Sequence, residues 1–183
     1  DLTDDTPLKQ RHRRIPPNMV KEVREHLEQL LARGIIEPSK SPWASPVVLV
    51  RKMNGKLRMC VDYTAINQRT LKDSYALPRI DEIFDSLQGA KYFTTLDMKA
   101  AYRQVEVEEE HKPHTAFTVG PYGFYQYSRM PFGLTNSPVT YERIVEQCLG
   151  DLNMRICVCY LDDVIIYSST FKEHLDNIDT VFS

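Results

Sequence analysis

Apolar side chains recur at helical spacing in several segments of the chain. Between Val20 and Leu31 they return every three or four positions, after a Pro-Pro pair and before Gly34, which predicts an amphipathic helix. Residues 137–150 show the same spacing, with Ser137 as the expected N-cap and Gly150 as the stop signal. Shorter helical patterns occupy residues 80–89 and 170–182.

Strand-like segments lie between these helices. Residues 47–50 and 57–63 flank the turn 53–56, whose Asn54-Gly55 pair is a strong hairpin signal. Alternation predicts further strands at 92–96, 102–107, 114–119 and 124–129, and two apolar strands at 155–161 and 164–168 joined by Asp162-Asp163. The irregular order of helices and hairpins predicts an α+β fold with an antiparallel sheet flanked by helices.

The composition is that of an ordinary globular protein. The chain has 183 residues, 42% hydrophobic and 26% charged, which excludes a disordered, collagen-like or coiled-coil chain. It contains no apolar run of roughly 20 residues and no signal peptide, so we expect a soluble protein that is neither secreted nor membrane-bound. Because it begins at Asp1 and stops at Ser183 inside a helical pattern, we also expect a fragment of something longer.

The net charge of −2 conceals an uneven distribution. Residues 8–80 hold 15 Lys and Arg against 6 Asp and Glu, a net of +9, whereas residues 81–183 hold 8 against 16, a net of −8. Such asymmetry hints at a polyanionic partner of the basic part, although two solvated surfaces explain charge alone better. The four cysteines form no Cys-x-x-Cys pair, so we expect buried thiols, no zinc site and a reducing, intracellular compartment.

Three carboxylates stand at the ends of predicted strands. Asp162 and Asp163 are adjacent in a turn between two apolar strands, and Asp97 ends the strand that begins at Tyr92. Adjacent carboxylates near an apolar sheet repel each other and resist desolvation unless a cation neutralises them. An all-oxygen site suits Mg²⁺ or Mn²⁺ rather than zinc. From composition and spacing alone, a metal site and a structural turn are equally supported.

Several sequence blocks resemble one family of polymerases. The Tyr160-Leu161-Asp162-Asp163 box is similar to the YxDD box of reverse transcriptases, and residues 96–102 (LDMKAAY) resemble the strand that carries their first catalytic Asp. Residues 41–50, 57–63 and 129–138 resemble further blocks of gypsy-type LTR retrotransposon polymerases, in the same order. The resemblance covers about residues 15–178, and the set is far more specific than YxDD alone.

The resemblance implies a right-hand polymerase with fingers at 1–70 and 107–131 and a palm at 71–106 and 132–183. It implies RNA-directed DNA polymerase activity, with nucleotidyl transfer from a dNTP to a primer 3′-hydroxyl on an RNA or DNA template. It also implies a retrotransposon Pol polyprotein with thumb, RNase H and integrase beyond this segment, located in a cytoplasmic virus-like particle with a nuclear phase. Without a thumb, we expect these 183 residues alone to polymerise poorly or not at all.

The family pattern also assigns roles to individual residues. It implies two Mg²⁺ ions, with Mn²⁺ as a substitute, bound by Asp97, Asp162, Asp163 and the Met98 carbonyl. It implies a dNTP site in which Tyr102 excludes a 2′-hydroxyl, formed by Lys52, Arg58, Ala101, Tyr102, Phe132 and Gly133. It implies template-primer contacts by Pro42, Trp43, Tyr160 and Leu161. For Lys52 and Arg58 the alternative is solvated hairpin charge, for Tyr102 a core aromatic residue, and for Trp43 a packed core position.

Two other functions stay open on the sequence alone. The first is a non-catalytic, nucleic-acid-binding relic of a reverse transcriptase, against which the complete set of three Asp residues argues. The second is a different carboxylate metalloenzyme such as a nuclease. A nuclease does not need a basic hairpin that binds dNTP, so the presence of Lys52 and Arg58 makes this function less well supported.

Overall fold

The computed structural model describes residues 1–53 and 55–183, so Asn54 of the expected hairpin turn lies outside the described residues. The helices are α1 (Val20–Ala32), α2 (Thr64–Asn67), α3 (Ile80–Ser86), α4 (Ser137–Leu149) and α5 (Phe171–Val181). The strands are β1 (Ile36–Pro38), β2 (Ser45–Arg51), β3 (Leu57–Val61), β4 (Tyr92–Asp97), β5 (Phe117–Thr118), β6 (Phe124–Tyr127), β7 (Cys157–Tyr160) and β8 (Asp163–Ser168). Short 3₁₀ helices occupy Pro17–Met19, Ala101–Gln104, Lys112–Thr115, Gly120–Tyr122 and Gly150–Leu152.

Residues 1–72 and 102–137 form one compact unit around a five-stranded sheet. The strand order is β1-β6-β5-β2-β3, antiparallel throughout except where β2 runs parallel to β5. The apolar stripe of α1 packs on this sheet, with Val23, Leu27 and Leu30 buried in the main core. Trp43 and Phe117 belong to the same core.

Residues 73–101 and 138–183 form the second unit around a three-stranded antiparallel sheet of order β4-β8-β7. The central strand β8 is largely apolar, and its Val164 and Ile166 side chains are buried. Helix α5 packs on β8 and β4. Its His174 ring lies 2.8 Å from the Thr94 hydroxyl, and the Asn177 amide donates a hydrogen bond to the Tyr167 carbonyl at 3.0 Å.

The α+β class is confirmed, the three-stranded sheet is antiparallel as expected, and the helices expected near 20–34, 80–89, 137–150 and 170–182 are present. The strand expected at 102–107 is wrong, because Ala101–Gln104 is a 3₁₀ helix and Glu106 forms only an isolated bridge to Arg129. The strand at 114–119 shortens to β5, since Pro113 near the start of a 3₁₀ helix fixes φ and removes a ladder donor.

Two local details also differ from expectation. The loop between β7 and β8 consists of Leu161 and Asp162, whereas Asp163 already belongs to β8. Ser137 is the first residue of α4, and its hydroxyl donates to the Pro131 carbonyl at 3.1 Å. Among the four free cysteines, Cys157 and Cys159 are buried as expected, whereas Cys60 is only partly buried and Cys148 on α4 is exposed.

The two compact units correspond to four segments with boundaries near residues 72, 101 and 137. The sequence placed its boundaries at 70, 106 and 131. The assignment of these segments to fingers and palm stays a prediction. Within the part of the chain that the structure describes, every helix is too short or too polar to cross a bilayer.

Candidate active site

The expected catalytic carboxylates meet at one end of the three-stranded sheet. In the antiparallel pairing of β4 with β8, Asp97 is the direct partner of Asp163. Residues opposite each other in such a ladder have Cα atoms about 4.5–5.5 Å apart. Asp162 immediately precedes Asp163 in the hairpin loop, and its carbonyl accepts a hydrogen bond from the Met98 N–H at 3.1 Å. Residues 97 and 162–163, distant in sequence, are therefore adjacent in the fold.

Electrostatic repulsion acts on this cluster. Burial raises the pKa of Asp162, and the neighbouring charges of Asp163 and Asp97 raise it further. The Oδ1 atom of Asp162 is buried and has no hydrogen-bond partner among the described residues. Leaving a buried carboxylate oxygen without a partner is costly. A cation bound here would remove both the repulsion and the missing contact.

The donor set fits a hard divalent cation. Three carboxylates without histidine or thiolate suit Mg²⁺ or Mn²⁺, and the orphaned Asp162 oxygen supplies an available ligand atom. The Met98 carbonyl accepts the Ala101 N–H at 3.1 Å and retains its second lone pair. The oxygens of the three Asp residues do not all lie within 4.8 Å of one another, so a shared ion requires side-chain rotation. Asp97 and Asp163 are exposed, which permits that rotation.

Within the described residues, one other group does bring its possible ligand atoms within 4.8 Å of one another. It consists of Glu108, Glu110 and His111. It lies on the surface of the other unit, and both glutamates are exposed. Exposed acidic residues near a histidine are common without a metal, so this group is a surface charge cluster.

The hairpin loop is held by a residue that the sequence reasoning missed. Glu142 on α4 is fully buried, and its Oε2 atom accepts a hydrogen bond from the Leu161 N–H at 2.6 Å. Leu161 has a positive φ of 56°, a conformation that a branched side chain adopts only under constraint. The available signal was a carboxylate beside Tyr141 and Val145, on the buried face of α4. Tyr160, the residue before Leu161, pairs with Asp163 and is half-buried.

The hairpin formed by β2 and β3 carries the two residues expected to bind triphosphate. Arg58 lies opposite Val50 in the β2–β3 pairing, and Lys52 follows β2 with its N–H bonded to the Lys56 carbonyl at 2.9 Å. Both side chains are exposed, and neither forms an ion pair within the described residues. Arg51 differs, because both of its terminal nitrogens bind the Glu22 carboxylate at 2.7 Å. Lys52 and Arg58 are thus available cations, whereas Arg51 has a structural partner.

Three of the other expected dNTP-binding residues lie together in the first unit. The Tyr102 ring is buried and its centroid lies 4.7 Å from that of Phe132, which is 43% exposed. Gly133 adopts φ 98°, which favours glycine, and its carbonyl accepts from the Asn67 amide at 2.7 Å. Ala101 is buried and belongs to the second unit.

The residues expected to touch template differ in exposure. Pro42 is exposed, but Trp43 is only 3% exposed and packs its ring edge-on against His114, with 5.0 Å between ring centroids. Trp43 is therefore packed in the core, the alternative that the sequence left open, and its expected contact with the template stays a prediction. The indole belongs to the main core of the first unit, to which a large aromatic side chain contributes much buried apolar area.

A cavity of about 660 Å³ opens beside Pro42 in the same unit. Its cationic and imidazole side chains come from the N-terminal segment, namely Lys9, Arg11 and His12, and no carboxylate lines it. The excess of positive charge in residues 8–80 is thus partly gathered on one concave surface.

Comparison with known proteins identifies related sequences. Residues 50–183 match the family model described as "Reverse transcriptase (RNA-dependent DNA polymerase)". The Pol polyprotein of transposon 297 from Drosophila melanogaster is 40% identical over 167 residues, which cover 88% of this chain and 16% of the relative. The Pol polyprotein of the Drosophila transposon gypsy is 39% identical over 165 residues, covering 87% of this chain and 16% of that relative. The chain thus spans about a sixth of the length of these curated relatives.

Solved structures give the same result for the fold. The foamy viral protease-reverse transcriptase in complex with double-stranded DNA superposes with a TM-score of 0.86 at 26% identity, covering 98% of this chain and 31% of that chain. The foamy viral enzyme in complex with an RNA/DNA hybrid superposes with a TM-score of 0.86 at 24% identity, covering 99% of this chain and 24% of that chain, and shows likeness of fold alone.

Proposed function

The chain belongs to the reverse transcriptase family, and we propose that it supplies the catalytic carboxylates of an RNA-directed DNA polymerase encoded within a retrotransposon Pol polyprotein. The observation that carries this proposal is the pairing of Asp97 with Asp163 beside the orphaned Asp162 oxygen. These are the positions at which the sequence blocks align with the catalytic Asp residues of the family.

The family generally uses divalent metals, and we propose two Mg²⁺ ions, replaceable by Mn²⁺, as the resident cofactors. Asp97, Asp162 and Asp163 would hold them, with the Met98 carbonyl as a further ligand. Such ions, when bound, supply activation of the primer 3′-hydroxyl and stabilisation of the leaving pyrophosphate. The carboxylates keep the ions at the end of the sheet, and the Met98–Asp162 hydrogen bond limits the movement of the loop that carries them.

The substrate contacts follow from charge and shape. Arg58 presents a planar guanidinium suited to bidentate phosphate contact, and Lys52 acts as a point charge, so both bind the triphosphate of a dNTP. Tyr102, braced against Phe132, excludes a ribose 2′-hydroxyl by steric clash. Ala101, Phe132 and Gly133 complete the nucleotide contacts. The left-handed backbone of Gly133 permits close approach of a ligand to the main chain.

The proposed nucleic-acid partners are an RNA or DNA template with its primer. Support comes from the basic cavity of Lys9, Arg11 and His12 beside Pro42, and from the similar foamy viral enzyme, which was solved with double-stranded DNA. Tyr160 and Leu161 contact the primer end. The remainder of a Pol polyprotein, with thumb, RNase H and integrase, acts with this segment in a cytoplasmic virus-like particle that has a nuclear phase.

A graft tests the polymerase proposal. The chain replaces the matching segment of an active gypsy-type polymerase, and wild type is compared with Asp162→Asn on RNA-primed and DNA-primed templates. We expect Asp162→Asn to lower dNTP incorporation by at least about 10³-fold, because it removes a charged metal ligand. Asp179→Asn, an exposed change on α5, is the matched control and retains wild-type incorporation.

The graft also separates the alternatives. Unchanged incorporation in Asp162→Asn would refute the metal assignment. A wild-type graft that binds Mn²⁺ and primer-template but incorporates no nucleotide would support the relic instead.

A further inference from the structure

Glu142 is a carboxylate in a position where packing alone favours an apolar residue. Its exposure is 0%, and its neighbours on the same face of α4, Tyr141 and Val145, are buried. Burial raises the pKa of Glu142, and the charge of Glu146 and Asp162 adds to the rise. Its Oε1 atom has no hydrogen-bond partner within the described residues. A side chain this costly to bury needs a compensating role.

The contact that Glu142 makes is with the backbone of the catalytic hairpin. Its Oε2 atom accepts the Leu161 N–H at 2.6 Å. The Leu161 N–H has no cross-strand partner, because the ladder of β7 with β8 ends at the Tyr160–Asp163 pair. Without Glu142 this N–H would lose the acceptor that it has in the fold.

Leu161 is also the strained residue of the loop. A two-residue hairpin loop needs a positive φ at its first position, which glycine or asparagine usually provides. Here a leucine adopts φ 56°, a conformation that persists only when the surrounding structure constrains it. The Cys159 thiol donates to the Leu161 carbonyl at 3.8 Å, so both peptide groups of Leu161 are held.

We propose that Glu142 is a positioning residue that fixes the peptide of Leu161 and thereby the orientation of the Asp162 carboxylate toward the metal site. The proposal rests on the proposed polymerase function, because it assigns Asp162 to metal binding. Glu142 itself contacts neither metal nor substrate. The Leu161 N–H needs only an acceptor oxygen, so an uncharged acceptor of the same shape serves equally well.

Three variants separate this hydrogen bond from charge and from packing. Glu142→Leu removes the acceptor and keeps the volume, and Glu142→Met is a second acceptor-free variant should the first fail to fold. Glu142→Gln removes the charge but keeps an oxygen acceptor. Glu146→Gln, one turn along the same helix, removes a charge that lies near the same carboxylates but touches the Tyr75 hydroxyl rather than the hairpin.

The first measurements use the chain itself and need no polymerase activity. Amide hydrogen exchange of Leu161 rises about tenfold or more in Glu142→Leu and Glu142→Met, and stays near wild type in Glu142→Gln and Glu146→Gln. The Kd for Mn²⁺, measured by electron paramagnetic resonance, rises about tenfold in the acceptor-free variants, the factor that corresponds to loss of one buried hydrogen bond. Glu142→Gln restores it to within about threefold of wild type.

Kinetics in the graft give a third readout. The acceptor-free variants lower kcat at saturating Mg²⁺ while KM for dNTP stays within about twofold, because the triphosphate contacts lie elsewhere. Equal loss of Mn²⁺ affinity in Glu142→Gln and Glu142→Leu would overturn the proposal in favour of a charge effect. Unchanged Leu161 exchange in both acceptor-free variants would overturn it directly. An inactive wild-type graft refutes the polymerase function, while exchange and Mn²⁺ binding still decide the role of Glu142.

Discussion

The Met98 N–H donates a hydrogen bond to the Asp162 carbonyl at 3.1 Å. This contact joins the residue after β4 to the loop between β7 and β8, one step beyond the last ladder pair, Asp97 with Asp163. The three carboxylates are therefore held by backbone pairing rather than by contacts between their own side chains. Their side chains remain available to a cation.

Because Asp97 and Asp163 repel each other, we expect that neutralising one of them stabilises the fold but abolishes activity. Like charges directly opposite each other in an antiparallel ladder destabilise the sheet by a few tenths to about 1 kcal/mol. We expect Asp97→Asn to raise the free energy of unfolding by about 0.5 kcal/mol in the presence of EDTA, as measured by urea denaturation. The same variant in the graft loses dNTP incorporation. Asp179→Asn serves as the charge control, and equal unfolding free energies for Asp97→Asn and wild type would contradict the repulsion.

The Asp62 carboxylate predicts a pH dependence of stability. Hydrogen bonds from the Thr64 hydroxyl and N–H, together with Arg13, lower the pKa of Asp62 below its ordinary value of 3.8. A lowered pKa in the folded state stabilises the fold above the unfolded-state pKa, and this stabilisation is lost as pH falls through the folded-state value. Wild type should therefore have a higher Tm than Asp62→Asn at pH 7.

The difference in Tm should shrink below about pH 3.8 and vanish at lower pH, because both chains are then neutral at this position. Thermal unfolding between pH 2 and pH 7 followed by circular dichroism measures it. A constant difference across this range would show that the charge of Asp62 is not involved.

Tyr102 predicts the sugar selectivity of the proposed polymerase. Replacing its ring with a methyl group in Tyr102→Ala removes the bulk that would clash with a 2′-hydroxyl. We expect the ratio of rNTP to dNTP incorporation in the graft to rise by about 10²-fold or more, as steric exclusion is relieved. Tyr92→Ala, an exposed aromatic on β4, is the control. No change in the ratio would remove Tyr102 from this role.

The two arginines near the turn of the β2–β3 hairpin are expected to differ in their effect on dNTP binding. Arg58 is exposed without an ion-pair partner in the described residues, so Arg58→Ala should raise KM for dNTP about tenfold or more through loss of a charge-assisted phosphate contact. Arg51 binds Glu22, so Arg51→Ala should leave this KM within about twofold. Steady-state kinetics with the graft compare the two. A larger rise in KM for dNTP in Arg51→Ala than in Arg58→Ala would contradict the assignment of Arg58 to phosphate binding.

Much of the fold and of the candidate site follows from local sequence patterns. The helices α1, α4 and α5 follow from apolar spacing, because a period near 3.6 permits few other structures. The hairpin of Asp162 and Asp163 follows from two apolar strands separated by a short loop, since neighbouring residues need no long-range information to meet. Asp97 is expected as the third carboxylate because it ends a predicted strand, whereas its catalytic role comes from resemblance to a family. Its place opposite Asp163 confirms only that it lies at this end of the sheet.

Other features depended on contacts between distant parts of the chain. Alternation over residues 102–107 did not distinguish a strand from a 3₁₀ helix, because a strand also requires a partner for its backbone. The burial of Trp43 depended on the packing of the main core, whose members come from distant parts of the chain. The role of Glu142 depended on the fold, which brings its carboxylate to the Leu161 N–H.

The sequence by itself determined the chemistry of this protein: which residues are carboxylates, which segments are apolar, and which cations lie on one hairpin. Only the tertiary structure decided which of these groups are neighbours. The register of β4 and β8 places Asp97 opposite Asp163, and α4 places Glu142 beside the strained Leu161. Arg51 binds Glu22, whereas Arg58 is exposed. The physical reason is that pairing between distant segments depends on how the whole chain closes around its cores, which no local period encodes.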